Sequence, residues 1–171
     1  MTATQEVARV WVGCLACYNA GTLRGEWVDA DEAGGFVPCE GRGHEEWWCM
    51  DHEGFAGLLD GECSPMAAQE LAELIAEVEA DGGPLAAFVA YRSNVGAEYA
   101  TVEGFRDVYR GEWSSVEDYA QELAEECGMV PDDLAWPLSC IDWGRAAREL
   151  TIGGDIWTAE SDGGVFVFGS E

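Results

Sequence analysis

The stretch RVWVGCLACYNAGTLRGEWVDA, Arg9 to Ala30, decides the character of the N-terminal part of the chain. Apolar and small residues alternate on both sides of Tyr18-Asn19-Ala20-Gly21, the pattern of two strands joined by an Asn/Gly turn. Strands are expected near Arg9 to Cys14 and Gly25 to Asp29. Working outward, the Gly-rich segment from Asp31 to Gly43 reads as a loop. Glu46-Trp47-Trp48-Cys49-Met50 reads as a third strand, and Phe55 to Leu59 as a short helical turn. These elements make a β-rich part over residues 1–61.

Beyond it the hydrophobic period changes. Ser64-Pro65 offers an N-cap followed by Pro at the first helical position, and Leu71, Leu74, Ile75 and Val78 recur at i, i+3, i+4 and i+7. A helix is therefore expected from Pro65 to about Ala80, closed by Asp81-Gly82-Gly83-Pro84. Pro84 to Arg92 and Glu98 to Tyr109 also read as helices, giving a helical middle over residues 62–103. In the remaining part, residues 104–171, Ser115 and Asp118 have capping-box spacing. They open a helix whose apolar face is Val116, Tyr119, Ala120, Leu123 and Cys127. A further helix is expected from Asp142 to Leu150, and a terminal hairpin turns at Ser161-Asp162-Gly163-Gly164 between Asp155 to Ala159 and Val165 to Phe168. The fold class is α+β, with β structure at both ends and helices between.

Charge narrows the function. The 171 residues carry 34 Asp plus Glu against 8 basic residues, all of them Arg, for a net charge of -26. With 48% hydrophobic residues and 8 Trp, the chain has the apolar content that disordered acidic tails lack. A folded protein so charged repels nucleic acid and anionic membranes and attracts basic partners. No run approaches the ~18 apolar residues of a membrane span. MTATQEVARV lacks the cationic start and apolar centre of a leader, so a cytoplasmic location is expected.

The acids fall in patterns. Glu70, Glu73 and Glu77 form a solvent stripe on the first long helix, with Glu79 and Asp81 crowding its end. Asp118, Glu122, Glu125 and Glu126 form a second stripe. Glu125 and Glu126 stand in a last helical turn, where the macrodipole disfavours each by about 0.3–1 kcal/mol. Acids placed against local stability point to function. Neighbours three or four apart on a helix lie about 4.5–6 Å apart along the axis. That is comparable with phosphate spacing, and at one charge per ~1.7 Å of duplex a charge of -26 matches about 44 Å, roughly 13 base pairs. Asp51, Glu53, Asp60, Glu62, Glu103, Asp107, Glu112, Glu117, Asp132 and Asp133 complete this candidate DNA-mimic surface. Two other readings compete: a general acidic interaction module or halophile-adapted domain, and metal buffering, which lacks a D-x-D-x-D-G loop.

Catalytic and metal chemistry is less well supported by the residues. Seven Cys, an odd number, argue against a closed disulfide framework. Cys14, Cys17, Cys39, His44, Cys49 and His52 could supply zinc ligands. Residues three apart on a regular strand face opposite sides, however, and the knuckle glycines and second C-x-x-C of a zinc ribbon are absent. A redox C-x-x-C is disfavoured because Tyr18-Asn19-Ala20-Gly21 follows it rather than a helix. Neither His44 nor His52 belongs to a nucleophile triad. No catalytic residue, metal or cofactor is expected, and the chain reads as a binding protein.

RVWVGCLACYNAGTLRGEWVDA closely resembles the opening of the ArdA antirestriction proteins, in which a strand leads to a Tyr-Asn-x-Gly turn and a Gly-x-Trp-hydrophobic-Asp strand. The resemblance continues through WWCMDHEGFAGLLDGE, YRGEWSSVEDYAQELAEE and PDDLAWPLSCIDWGRAARELTIGGDIWTAESDGGVFVF, covering nearly the whole chain. His52 stands where many relatives have Tyr, and Asp142-Trp143-Gly144 where they often have Asp-Tyr-Glu. The resemblance implies an acidic DNA mimic that binds the specificity and modification subunits of type I restriction-modification enzymes and inhibits them stoichiometrically. It also implies an elongated homodimer of three small subdomains, joined through the C-terminal one. Leu134, Trp136 and Ile141 are the candidate apolar contacts there.

Overall fold

The computed structural model describes residues 7–170, so the start of the segment read above as lacking a leader lies outside the described residues. The chain divides into two compact units, Met1–Leu85 and Ala86–Glu171. Both contain strands and helices, and the class is α+β.

In the first unit a three-stranded antiparallel sheet has the order β2-β1-β3, built from β1 (Arg9–Cys14), β2 (Gly25–Asp29) and β3 (Trp47–Glu53). The central strand β1 turns Val10, Val12 and Cys14 inward, all nearly inaccessible. Its other face carries Trp11, whose ring lies over Gly13 and Gly25. A Cβ at Gly25 would stand 2.6 Å from that ring, so the glycine of Gly-Glu-Trp is dictated by cross-strand packing.

Both strand limits of the opening stretch hold, but their connection is not a tight hairpin. β1 runs directly into a short helix, α1 (Leu15–Asn19), and Tyr18 and Asn19 are its last residues. Thr22 N–H then bonds the Cys17 carbonyl at 2.9 Å to bring the chain back. The expected loop after β2 contains a 3-10 turn at Ala30–Gly35 with Ala30 and Ala33 buried. β3 extends three residues past Met50, placing Asp51 and Glu53 on a strand. Phe55 to Leu59 is not helical. It is a single turn closed by Leu58 N–H on the Phe55 carbonyl at 2.9 Å.

α2 (Pro65–Ala80) has the expected limits, with Ser64 Oγ accepting from Ala67 N–H at 3.1 Å. It packs on the 3-10 turn and β3 through Ala68, Ile75 and Val78, while Leu71 and Leu74 are half-buried. Gln69 Oε1 accepts from Gly34 N–H at 3.1 Å and fixes the helix against the turn.

The second unit takes in α3 (Leu85–Val95) from its second residue, then α4 (Val102–Val108), β4 (Tyr109–Trp113), α5 (Val116–Glu126), α6 (Trp143–Ile152), β5 (Ile156–Ser161) and β6 (Gly164–Gly169). The helix expected to reach Tyr109 ends at Val108, and YRGEW forms β4 instead. It completes a sheet of order β4-β6-β5 with β6 in the centre. Alternation along β6 sends Phe166 and Phe168 to one face and Val165 and Val167 to the other. On the first face Phe168 stacks on Trp157 at 3.9 Å between centroids, and Phe105 meets Phe88 edge-on at 5.5 Å. On the second, Val167, Tyr119 and Ile156 form a core with Trp113, Val116, Leu123 and Leu150 around it. Cys127, read as part of the α5 apolar face, is instead the exposed C-cap residue.

Candidate functional site

Among the described residues every Asp and Glu is exposed except Glu79, which is half-buried, and no charged side chain is buried. Eight Arg can neutralise at most eight of the 34 acids, so the surface keeps its negative field whatever the pairing. In the first unit Glu70, Glu73 and Glu77 line the solvent face of α2, and Asp60 and Glu62 lie just before it. In the second, Glu117, Asp118, Glu122, Glu125 and Glu126 project from α5, with Glu103 and Asp107 on α4, Glu112 on β4, and Asp132 and Asp133 after α5.

Several of these carboxylates are oriented by neutral donors. Gln69 Nε2 donates to Glu73 Oε1 at 2.9 Å and Gln121 Nε2 to Glu125 Oε1 at 2.8 Å. The Trp113 indole donates to Glu122 Oε2 at 2.9 Å. A neutral amide or indole fixes a carboxylate without cancelling its charge, which a Lys or Arg in its place would do.

The end of α5 repeats the logic. Gly128, at φ +68, permits a Schellman closure in which Gly128 N–H bonds the Glu125 carbonyl and Met129 N–H the Ala124 carbonyl, each at 2.9 Å. The last turn contains no basic residue, and Glu125 and Glu126 occupy the negative end of the dipole.

Glu53 is held by an arginine. The sheet register puts Arg9 opposite both Asp29 and Glu53, and the guanidinium contacts them at 3.4 and 3.6 Å. Its carboxylate is partly cancelled, as the helical ones on Gln partners are not. Asp51 Oδ1 accepts the His52 N–H at 2.8 Å, and the His52 ring packs edge-on against Phe55.

Of the candidate dimer contacts, Trp136 is 81% exposed, while Leu134 and Ile141 are half-buried. Met129 and Leu138 in the same segment are also exposed. They escaped sequence reading because a non-periodic stretch gives no sign of which apolar residues face outward.

Cys14, Cys17, Cys39 and His44 converge, their ligand atoms all within 4.8 Å of one another. The objection that residues three apart on a strand diverge does not apply, because the strand ends at Cys14 and Cys17 sits in α1. The C-x-x-C encloses the start of that helix, which ends at Asn19 and gives way to the Ala20-Gly21 turn. Cys49 and His52, the other candidate ligands, are not in the group. Cys49 faces Cys63 across an isolated bridge and is pushed up to about 12 by burial and by that neighbour.

No helix among the described residues is long and apolar enough to cross a membrane. Comparison with curated proteins gives no match. The family described as antirestriction protein (ArdA) matches residues 10–165, from β1 through all the acidic helices to the start of β6, and the chain belongs to that family.

Proposed function

We propose that the protein is a DNA mimic that occupies the DNA-binding cleft of type I restriction-modification enzymes, contacting their specificity and modification subunits. Membership of an antirestriction family makes a restriction-modification enzyme the target. The observation that carries the mechanism is the uncancelled exposure of the carboxylates. α2 and α5 each display acids three or four residues apart, oriented by glutamine and indole donors, on a chain of net charge -26. Such a surface offers a cationic cleft what a duplex offers, without bases to read. The protein then works in the cytoplasm, by occupancy, with no catalytic group or cofactor and without binding nucleic acid.

Inhibition is expected to be stoichiometric. Titrating the protein into a type I enzyme should abolish cleavage and DNA binding once sites are filled, with excess duplex restoring both. Loss of enzyme activity that persists after the protein is removed, or turnover of a substoichiometric amount, would show chemistry rather than occupancy. Insensitivity to competing duplex would favour a general acidic interaction module instead.

The same proposal includes the division into segments 1–61, 62–103 and 104–171 and a homodimer through the last. Leu134, Trp136 and Ile141 lie in the connection after α5, where Trp136 exposes most of its indole to water. Exposed aromatic surface of this kind marks interaction sites. The protein should sediment as a dimer at micromolar concentration and Trp136→Glu should shift it to monomer. A wild-type monomer under those conditions excludes the contact.

A further inference from the structure

We propose that Cys14, Cys17, Cys39 and His44 bind one zinc ion in a closed structural site. Cys14 ends β1, Cys17 lies on α1, and Cys39 and His44 belong to the segment between the 3-10 turn and β3. Cys14 Sγ stands 3.2 Å from His44 Nδ1, Cys17 Sγ 3.4 Å from Cys39 Sγ, and Cys17 Sγ 3.5 Å from His44 Nδ1. A tetrahedral zinc with Zn–S near 2.3 Å and Zn–N near 2.1 Å needs ligand atoms about 3.6–3.8 Å apart. Those three separations fall a few tenths of an ångström short of that spacing, and every pair of the four atoms lies within 4.8 Å.

The local backbone serves this convergence. Gly41 and Gly43, at φ +78 and +70, take conformations that side-chain-bearing residues rarely adopt, and they fold the chain between Cys39 and His44 into a tight turn. Arg42 N–H on the Cys39 carbonyl at 3.4 Å closes it.

Ordinary burial of small thiols does not explain the group. Among the described residues its buried members are the three cysteines themselves, with Ala16 packed against them, so the cluster excludes little apolar surface from water. It also selects its members. Three of seven Cys and one of two His meet here, while Cys127 and Cys140 are exposed and Cys49 pairs with Cys63.

Electrostatics agree. Burial pushes the Cys14 thiol up, but the Cys17 backbone N–H, His44 and the two neighbouring thiols outweigh it and lower the group to about 7. Cys39 is raised to about 11 by burial and by the adjoining Cys17 and Cys14. Ionisation of Cys39 is opposed by its neighbours. A divalent cation removes that opposition. On binding, the thiol protons of all three cysteines leave to solvent and His44 coordinates as neutral imidazole through Nδ1, leaving the site with one negative charge.

Four protein ligands leave no open position, so the site is structural rather than catalytic. It staples the Cys39–His44 segment to the corner of β1 and α1, and so holds the exposed Glu40, Glu45 and Glu46 in place. On the mimicry reading these are further fixed charges. The metal measurement is independent of inhibition, so either reading can fail alone.

The full chain, purified under reducing conditions without chelator, should contain one equivalent of zinc by elemental mass spectrometry. Cys39→Ser and His44→Gln should each weaken zinc binding by more than the roughly 10–100-fold that loss of an outer-shell partner costs. The Cys127→Ser, Cys140→Ser double variant should keep the metal. Should the ligand variants fail to fold, cobalt exchange into the wild-type chain decides. Sulfur-to-cobalt charge transfer with tetrahedral ligand-field bands supports the site. Absence of zinc together with no tetrahedral cobalt spectrum overturns it. So does iron in place of zinc, or an intact mass lower by two hydrogens with a disulfide mapped among Cys14, Cys17 and Cys39.

Discussion

Phe168→Ala is expected to lower the thermal midpoint by on the order of 20 °C. Phe168 lies on the central strand of the second sheet, fully buried, stacked on Trp157 at 3.9 Å and within ring contact of Tyr109 at 5.5 Å and Phe105 at 6.4 Å. Removing a buried ring costs about 3–5 kcal/mol, because transfer energy is lost and the rigid aromatic neighbours collapse only partly into the space. For a unit of this size each kcal/mol moves the midpoint by roughly 4–8 °C. Phe168→Leu, which keeps most of the volume, should cost well under half as much. Tyr99→Ala, at a side chain 69% exposed, should fall within about 0.5 kcal/mol of the parent. Circular dichroism melts of the three variants test the order. A Phe168→Ala midpoint within a few degrees of the parent would mean that β6 is not the centre of that sheet.

What could be read ahead of the structure followed from how local each signal is. α2 was legible at both ends because cap, proline, apolar period and glycine stop all lie within one stretch. The terminal hairpin was legible for the same reason. β4 was not: Tyr109-Arg110-Gly111-Glu112-Trp113 is short, contains a glycine, and follows Phe105 at helical spacing. Its strand conformation comes from pairing with β6, more than fifty residues away. The Cys and His group was missed through the same blindness to distance. The local pattern suggests a strand over Cys14 and Cys17, whereas α1 turns Cys17 back, and Cys39 and His44 arrive from another segment. Acidic stripes fared better, since helical spacing alone determines which carboxylates share a face. The donors that orient them were not foreseen, although Gln69 with Glu73 and Gln121 with Glu125 both have i, i+4 spacing.

Those stripes give a test in which stability and binding move in opposite directions. Replacing Glu70, Glu73, Glu77, Glu125 and Glu126 together by Gln should weaken binding to a type I methyltransferase core by about 100-fold at low salt. Five solvent-facing contacts at roughly 0.2–1 kcal/mol each sum to about 3 kcal/mol, and each 1.4 kcal/mol is tenfold. The salt dependence should become shallower, because fewer screened pairs remain to be lost. The Glu125, Glu126 pair alone should show a smaller change of the same sign, since the remaining acids still attract the cleft. Folding should respond the other way. Glu73 repels Glu70 and Glu77 across i, i+3 and i, i+4, and Glu125 and Glu126 oppose the dipole at the end of α5. Their neutralisation relieves about 0.2–0.5 kcal/mol per like-charge pair and about 0.3–1 kcal/mol per helix-end charge. Gln keeps the shape of Glu and its side-chain carbonyl, so the bonds from Gln69 and Gln121 can persist. A midpoint that rises while affinity falls identifies carboxylates retained for binding at the expense of stability. Affinity equal to the parent at low and high salt would instead make both stripes solvated helix faces and remove α2 and α5 from the mimic surface.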